Sequence, residues 1–302
     1  MFFEHRTFWL PKDLQQPQGY EDAFELDPAG GKAAICDGVA SSLFSGRWAA
    51  ILAKAAVEET PRVRNPEVLE AWLRQQRQRW SASIDESALA WHQKPKLLEG
   101  ASSTLLWVEL SGQDAPEGTA RPRRLCGYAI GDCCLFHVRR GGLLQTFPIE
   151  NSARFEDHPQ VLRSVYKRAD AFAFEAFETQ CHPGDLLVMC TDAVACWTLR
   201  QLEAGGTVDW DAYWTLSSSD WQQWILQLRQ SHQIRYDDST VLVLRVSGRQ
   251  PDTSRKPAAT HDALLEKAET SMRGAFKTLK GSVRRGLKGL ADSKWLSEDR
   301  QE

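Results

Sequence analysis

Several apolar, strand-like runs of this chain adjoin acidic residues at the point where the run begins or ends. The acidic positions are Glu21-Asp22, Asp37-Gly38, Gly131-Asp132, Thr191-Asp192 and Asp237-Asp238. A carboxylate beside a buried strand costs free energy unless something compensates its charge, and few lysines or arginines stand next to these positions in the sequence. If the carboxylates converge, they suit a divalent cation, which prefers hard oxygen ligands. The alternative is that each aspartate only forms its own turn.

The predicted strands are joined mainly by short turns, which indicates antiparallel pairing. Residues 20–26 and 32–36 predict one hairpin, and residues 134–138 and 143–147 predict a second. Further strands are expected at residues 100–110, 125–130, 170–178, 186–190 and 239–246. Because strands outnumber helices, we expect an α+β domain with layered antiparallel sheets.

The helical pattern is confined to a few segments. A helix is predicted from Ser41 or Ser42, which can cap it, to about Glu59, and another is predicted to begin at Asn65-Pro66. Between Trp210 and Leu228, aromatic and aliphatic residues repeat at helical spacing. That stripe is typical of a core-facing helix rather than of a ligand site.

The overall composition excludes several functional classes. The 302 residues are 42% hydrophobic and 25% charged, with a formal net charge of −3. A protein whose main partner is nucleic acid needs a strong basic excess, so that class is not expected. No apolar stretch approaches the roughly 18 residues of a transmembrane helix, and the first residues lack the pattern of a secretion signal. We therefore expect a soluble cytoplasmic protein.

The seven cysteines predict neither a disulfide framework nor a zinc site. Their number is odd, no two have the C-x-x-C spacing, and most lie within apolar strand-like runs. Buried reduced thiols are therefore expected.

Six motifs, taken in order, resemble those of the metal-dependent Ser/Thr protein phosphatases, the PPM or type 2C family. The family motifs are N-E-D-A, D-G-x-G-G, G-S-T, G-D-S, G-D-x-L-L-L-x-S-D-G and D-D/N-x-T. Their counterparts here are Glu21-Asp22-Ala23, Asp37-Gly38-Val39, Ser102-Ser103-Thr104, Gly131-Asp132, the run from Gly184 to Asp192, and Asp237-Asp238-Ser239-Thr240. The similarity extends over residues 15–247, and the stretch after Asp37 is most similar to divergent bacterial members.

The resemblance implies a four-layer αββα sandwich, in which two packed antiparallel sheets are flanked by helices and a binuclear metal site lies at one edge. It implies that Asp37 bridges two metal ions. Glu21 and the Gly38 carbonyl would complete the ligands of one ion, and Asp192 and Asp237 those of the other. Asp132 would hold a third ion together with Asp192, while Asp22 would orient water bound to the metal. The implied cofactors are Mn²⁺ or Mg²⁺, with two ions in the family and a third in some members.

The implied reaction is the hydrolysis of phospho-Ser/Thr in a protein substrate, without a phosphoenzyme, and the implied role is in signalling. Two divalent ions about 3.5–4 Å apart can hold a hydroxide between them at neutral pH and neutralise the phosphoryl oxygens. In-line attack by that hydroxide needs no Cys or Ser nucleophile. The carboxylates must be ionised to bind metal, so activity is expected to fall in acid.

The sequence departs from the family pattern where the substrate phosphate is held. Members usually carry an arginine four residues before the Glu of N-E-D-A, and that place is taken here by Pro17. Lys12 is the nearest basic residue upstream, and no phosphate-binding residue is assigned. Ala40-Ser41 and Thr191-Asp192-Ala193 also differ from the family, although no metal ligand is lost. A second function stays open, that of a weakly active or inactive metal-binding relative that recognises phosphoproteins as a regulatory module.

The C-terminal part of the chain differs in charge from the rest. Residues 251–302 contain 11 Lys/Arg and 8 Asp/Glu, whereas residues 1–250 contain 26 and 32. We predict a phosphatase domain over residues 1–247, a linker over 248–260 and a basic amphipathic helical tail over 261–302. Apolar residues of 261–295 recur at steps of three and four, which suits a partner protein or peripheral binding to an anionic membrane. The alternatives are a helix packed on the acidic body and a solvated tail.

Overall fold

The computed structural model describes residues 2–59, 66–111, 122–156, 158–166 and 174–247. The strands are β1 (Phe2–Leu10), β2 (Ala23–Asp27), β3 (Lys32–Cys36), β4 (Ser102–Ser103), β5 (Leu105–Ser111), β6 (Arg123–Ile130), β7 (Cys134–Arg139), β8 (Gly142–Phe147), β9 (Leu162–Arg163), β10 (Glu175–Cys181), β11 (Leu186–Cys190) and β12 (Ser239–Ser247). The helices are α1 (Ser45–Glu59), α2 (Pro66–Ala82), α3 (Lys94–Glu99), α4 (Asp192–Glu203), α5 (Ala212–Thr215) and α6 (Ser218–Gln230). The predicted linker and tail, residues 248–302, lie outside the described part.

The first large sheet has the antiparallel strand order β1-β12-β11-β7-β8. One of its faces packs against helices α4 to α6, where Phe8, Phe136 and Val188 are buried with aromatic residues of the helices. The rings of Phe8 and Trp221 stack with their centroids 5.5 Å apart. The stripe that begins at Trp210 is therefore core, as predicted, and Ser217 caps α6 at the break in the pattern.

The second large sheet has the antiparallel order β10-β6-β5-β3-β2. Its outer face is covered by α1 and α2, whose Trp48, Leu52 and Leu69 are buried against Ala34 and Trp107 of the sheet. The apolar residues of α1 and α2 recur at helical spacing and form the buried face of each helix.

The two sheets pack against each other through their inner faces. Side chains alternate between the faces of a strand, yet every residue of β11 is buried, so both faces of that strand are covered. Phe147 of the first sheet and Phe177 of the second have ring centroids 4.4 Å apart. The architecture is the four-layer αββα sandwich expected from the motifs.

Four local features differ from the sequence expectation. Strand β1 was not predicted because Glu4, His5 and Arg6 interrupt its apolar pattern, and it pairs with β12 over its full length. The strand expected at 100–110 breaks at Thr104, because Ser102 and Ser103 pair with β9 instead. The strand expected at 170–178 is observed as β10, which continues to Cys181. Helix α4 directly follows β11 and was also not predicted.

All seven cysteines are free thiols, as the sequence indicated, and six of them are buried. Within the described residues, no helix combines the length and the apolar character needed to cross a membrane.

Candidate metal centre

The predicted acidic ligands lie next to strand termini that the fold brings to one edge of the sandwich. Asp37 follows β3, and Asp132 lies in the turn between β6 and β7. Glu21 and Asp22 precede β2, Asp192 follows β11, and Asp237 precedes β12. Burial and the charges of Asp22, Asp192, Asp132 and Asp237 raise the pKa of Asp37 well above its usual value. Five carboxylates from distant parts of the sequence therefore share one electrostatic environment.

Asp132 and Asp192 are two buried members of the acidic cluster around Asp37. Burial, followed by the charge of Asp192, raises the pKa of Asp132 to about 7. Burial and the charge of Asp237 raise the pKa of Asp192, although Arg235 opposes the shift. Asp192 Oδ1 is buried, and no donor of the described residues hydrogen-bonds to it. Such an oxygen is costly to bury unless a cation or a donor reaches it.

Asp22 is held by hydroxyl groups from two other strand ends. Its Oδ2 atom accepts hydrogen bonds from Thr191 Oγ1 at 3.0 Å and from Thr240 Oγ1 at 2.6 Å. Burial and the charge of Asp238 raise the pKa of Asp22, and these two hydroxyls act in the opposite direction. Asp22 is only 2% exposed. Its two hydrogen bonds fix the orientation of its carboxylate within the cluster.

Gly38 stands where the backbone of the neighbouring segments leaves no space for a side chain. A Cβ atom on Gly38 would lie 2.6 Å from the Glu21 carbonyl oxygen and 2.9 Å from the Ser45 carbonyl carbon. The absence of a side chain thus lets the Asp37-Gly38 segment lie directly against Glu21. Thr104 fixes the same segment, because its Oγ1 accepts from Asp37 N at 3.0 Å and its N–H donates to Asp37 O at 2.9 Å.

Asp238 is a clamp between three segments and was not assigned a role from the sequence. Its Oδ1 accepts from the Lys12 backbone N–H at 2.6 Å, and its Oδ2 accepts from the Glu21 N–H at 2.7 Å. Burial raises the pKa of Asp238, and the two N–H groups counteract that effect. The sequence showed the adjacent Asp237-Asp238 pair, but it did not show that Asp238 binds the backbone of Lys12 and Glu21 while Asp237 is the candidate metal ligand.

Arg229 hydrogen-bonds to the backbone on both sides of this contact, and it was not identified from the sequence either. Its guanidinium donates to the carbonyl oxygens of Pro11, Leu10 and Asp237 and to Ser239 Oγ, at 2.6 to 3.2 Å. It is 7% exposed and lies at the end of α6. An arginine in the last turn of an amphipathic helix is usually a surface residue, so the sequence gives little indication that Arg229 holds the backbone at Asp237.

Two further cations pair with the acidic cluster, which corrects the expectation that its carboxylates lack basic partners. Lys12 Nζ lies 2.6 Å from Glu21 Oε2 and 3.6 Å from Asp237 Oδ1. Arg235 Nη1 lies 3.0 Å from Asp192 Oδ2. Partial burial alone would lower the pKa of Lys12, but Glu21, Asp237 and Asp238 outweigh it and raise that pKa above its ordinary value. Within the described residues, Asp37 and Asp132 form no ion pair with a lysine or an arginine.

A second group of possible metal ligands lies at the opposite end of β11. Atoms of His137, Cys181 and Asp185 lie within 4.8 Å of one another, a spacing that no three of the acidic cluster's residues meet within the part of the chain described. Asp185 already accepts from Arg139 Nε and Nη2 at 2.8 Å, from His137 Nε2 at 2.9 Å and from the His182 N–H at 2.8 Å. Burial and the charge of Asp185 raise the pKa of Cys181 to about 12, so its thiol stays protonated. This group serves a structural role and is a less favourable metal site, because both carboxylate oxygens of Asp185 already accept hydrogen bonds and a protonated thiol is a poor metal ligand.

The acidic cluster provides the better donor set for a hard divalent cation. It offers carboxylate oxygens, which Mg²⁺ and Mn²⁺ prefer, and one of them, Asp192 Oδ1, is buried without a hydrogen-bond donor in the part of the chain that the structure describes. Burial, together with the charges of neighbouring aspartates, raises the pKa values of Asp37 and Asp132. The residues present fit a metal centre, and the individual ligand roles stay predictions.

Comparison with known proteins gives matches at the level of structure. No protein-family model matches the sequence, and no curated protein matches it. The fold is similar to that of the photosystem II phosphatase PBCP, with a TM-score of 0.50, 15% identity, and coverage of 82% of this chain and 100% of PBCP. It is also similar to the catalytic domain of the Ser/Thr protein phosphatase PstP, solved in complex with two manganese ions, with a TM-score of 0.51, 15% identity and coverage of 82% and 99%.

A third similar structure is that of PppA, a regulatory component of the T6SS in Pseudomonas aeruginosa. The TM-score is 0.50 at 15% identity, and the match covers 81% of this chain and 98% of PppA. The chain therefore has the fold of the PPM-type phosphatases, which confirms the expectation from its motif order.

Proposed function

We propose that this chain is a metal-dependent protein phosphatase that hydrolyses phospho-Ser/Thr. The observation that carries the proposal is the convergence of Asp37 with Asp22, Asp132, Asp192 and Asp237, whose charges add to the effect of burial in raising the pKa of Asp37. These are the positions at which the phosphatase motifs place metal ligands and the residue that orients water. The phosphatase fold supports the same conclusion independently of the motifs.

The proposed ligand set follows the positions of the acidic cluster. Asp37 would hold two Mn²⁺ or Mg²⁺ ions, with Glu21 and the Gly38 carbonyl on one and Asp192 and Asp237 on the other. Asp132 would hold a third ion with Asp192. Bound divalent ions would supply a nucleophile from water at neutral pH and neutralise the phosphoryl oxygens.

The chain's own residues would orient the substrate and the water in this site. Asp22 would orient metal-bound water, and the hydrogen bonds from Thr191 and Thr240 that hold its carboxylate in one orientation support this role. Gly38 and Thr104 fix the backbone at Asp37. Since no residue of the site needs to be phosphorylated, the proposal includes no phosphoenzyme.

The test is hydrolysis of p-nitrophenyl phosphate and of a phosphothreonine peptide, with and without Mn²⁺. We expect metal-dependent turnover in the wild type and a loss of at least about 100-fold in Asp37→Asn, since ligand changes exceed the effect of outer-shell changes. Glu58→Gln is the matched control, because Glu58 is an exposed acid on α1 that forms an ion pair with Lys54. Full activity in Asp37→Asn contradicts the proposal.

The same assay separates the phosphatase from the alternative regulatory module. One observation favours the alternative: Lys12 forms an ion pair with Glu21, and Arg235 forms one with Asp192. Both cations would compete with a metal ion for carboxylate oxygens. Calorimetric binding of Mn²⁺ and of the phosphopeptide without turnover would support the module. Efficient metal-dependent turnover of the phosphopeptide by the wild type would exclude it.

We infer a phosphorylated protein as the substrate, a cytoplasmic location and a signalling role. Residues 248–260 would link the phosphatase domain, residues 1–247, to the basic tail at 261–302. The amphipathic pattern at 261–295 suits either a partner protein or an anionic membrane surface. Co-sedimentation of the full chain with phosphatidylserine vesicles, compared with a chain that ends at residue 247, tests the membrane alternative.

A further inference from the structure

Lys12 occupies a position between two carboxylates that the proposed ligand set assigns to different metal ions. Its Nζ atom lies 2.6 Å from Glu21 Oε2 and 3.6 Å from Asp237 Oδ1. The side chain is 27% exposed, so the ammonium group also faces solvent. One flexible cation thus neutralises two of the oxygens that a divalent ion would bind.

The backbone of Lys12 is fixed, although its side chain has rotational freedom. Asp238 accepts from the Lys12 N–H at 2.6 Å, and Arg229 donates to the carbonyl oxygen of the preceding residue, Pro11, at 2.8 Å. The four-carbon stem of a lysine can reorient its point charge without movement of the backbone. Nζ would therefore stay close to the acidic cluster after losing its carboxylate partners.

The other two cations at the site lack this freedom. Arg229 is buried and donates to four acceptors. Arg235 contacts Asp192, but its Nη2 donates to the Phe155 carbonyl oxygen at 2.6 Å, and its guanidinium lies 5.8 Å from the centroid of the Phe155 ring. Among the residues described around the cluster, Lys12 is the cation that can exchange its partner.

We propose that Lys12 exchanges its carboxylate partners for the phosphoryl oxygens of the substrate when divalent ions occupy the acidic cluster. The proposal rests on the metal-dependent function argued above. A divalent ion on Glu21 and Asp237 takes the oxygens that Lys12 now contacts, so the displaced ammonium needs another anion. A phosphate ester supplies that anion at the same site, and lysine is a common phosphate-binding residue. Lys12 would then bind the phosphate, although the usual arginine position holds Pro17.

Two calorimetric titrations of the full chain test this exchange. The first measures Mn²⁺ binding without phosphate, and the second measures inorganic phosphate binding to the Mn²⁺-loaded protein. For Lys12→Met we expect the affinity for Mn²⁺ to rise about tenfold and the affinity for phosphate to fall at least about tenfold. A tenfold change in affinity corresponds to about 1.4 kcal/mol. Lys12→Arg keeps the positive charge and should restore most of the phosphate affinity. Lys54→Met is the matched control, since Lys54 is an exposed lysine of α1 paired with Glu58.

The opposite directions of the two changes distinguish an exchanging cation from a structural residue. Weakening of both Mn²⁺ and phosphate binding by Lys12→Met overturns the proposal, because damage to the site would have that effect. Unchanged phosphate affinity also overturns it. If Lys12→Met does not fold, Lys12→Gln provides the same neutral comparison, with thermal melting as the check of folding.

Failure of the exchange and failure of the proposed function give different results. Turnover by the wild type together with unchanged phosphate affinity in Lys12→Met overturns the exchange and leaves the phosphatase standing. Lysine-dependent phosphate binding without turnover supports the exchange and overturns the phosphatase. A wild type that binds no Mn²⁺ overturns both, and this is seen before any variant is compared.

Discussion

The hydroxyl group of Thr240 donates a hydrogen bond to the buried carboxylate of Asp22, with 2.6 Å between Thr240 Oγ1 and Asp22 Oδ2. Thr240 belongs to the interior strand β12, and Asp22 directly precedes β2 of the other sheet. The phenol of Tyr20 contacts the same threonine hydroxyl. One hydrogen-bonded chain thus joins the two sheets beneath the candidate metal centre, and it holds the residue proposed to orient water.

Thr240→Val should destabilise the protein by about 1–3 kcal/mol, the usual effect of leaving a buried polar group without its partner. Valine has nearly the same shape and suits a strand, so the change acts mainly on the hydrogen bond. The hydroxyl lowers the pKa of Asp22, and its loss should therefore destabilise the folded state more at pH 8 than at pH 5. Urea unfolding at both pH values measures the difference. Thr179→Val in edge strand β10 is the control, and equal losses at the two pH values would contradict the prediction.

The raised pKa values of the acidic cluster predict an unusual dependence of stability on pH. A carboxyl group whose pKa is higher in the folded state binds more protons there, so the free energy of unfolding falls as pH rises. The fall should extend from about pH 4, the ordinary value for aspartate, to about 7, the raised value of Asp132. Without added metal, thermal melting should therefore give a lower Tm at pH 7.5 than at pH 5.

Two comparisons isolate the acidic cluster in that experiment. Asp132→Asn should reduce the fall in Tm between pH 5 and pH 7.5. His5 contributes in the opposite direction in both proteins, because burial lowers its pKa and stability from this residue rises with pH. Added Mn²⁺ should raise the Tm more at pH 7.5 than at pH 5, since metal binds the ionised carboxylates. A Tm that rises with pH equally in the wild type and in Asp132→Asn would show that the cluster does not govern this dependence.

Arg229→Met should reduce stability by roughly 3 kcal/mol or more, because it leaves several buried acceptors without a donor. It should also weaken Mn²⁺ binding, since Arg229 fixes the backbone at Asp237. Arg229→Lys should recover little, because an ammonium cannot reproduce the planar guanidinium fork. Urea unfolding and Mn²⁺ calorimetry measure the two effects. Arg200→Met, at an exposed position of α4, is the control, and wild-type behaviour of Arg229→Met would exclude the positioning role.

The order of the motifs was sufficient to predict the sandwich and the positions of the acidic residues. Residues such as Asp37 and Asp132 follow apolar runs directly, so their place at a strand end is a local property of the sequence. The pairing of Arg235 with Asp192 is not local, because 43 positions separate the two residues. It depends on β11 and β12 being neighbours in the sheet, which no pattern within either segment specifies. Strand β1 was not predicted because polar residues interrupt its apolar pattern. Such residues are tolerated in β1 because it lies at the edge of the sheet.

Asp185→Asn separates the two groups of possible metal ligands, because Asp185 and Asp192 lie at opposite ends of β11. Asp185 is 1% exposed, and Arg139 donates to both of its carboxylate oxygens. Arg139 is 31% exposed, so water can solvate its charge once the carboxylate is removed. The asparagine amide cannot accept all the hydrogen bonds that Asp185 accepts, so we expect a loss of about 1–3 kcal/mol in the free energy of unfolding. Mn²⁺ affinity and stoichiometry should stay at their wild-type values, because effects at distant sites are usually independent. Asp132→Asn should show the reverse, with Mn²⁺ binding weakened and the fold retained. Loss of Mn²⁺ from folded Asp185→Asn would instead place the metal at His137, Cys181 and Asp185.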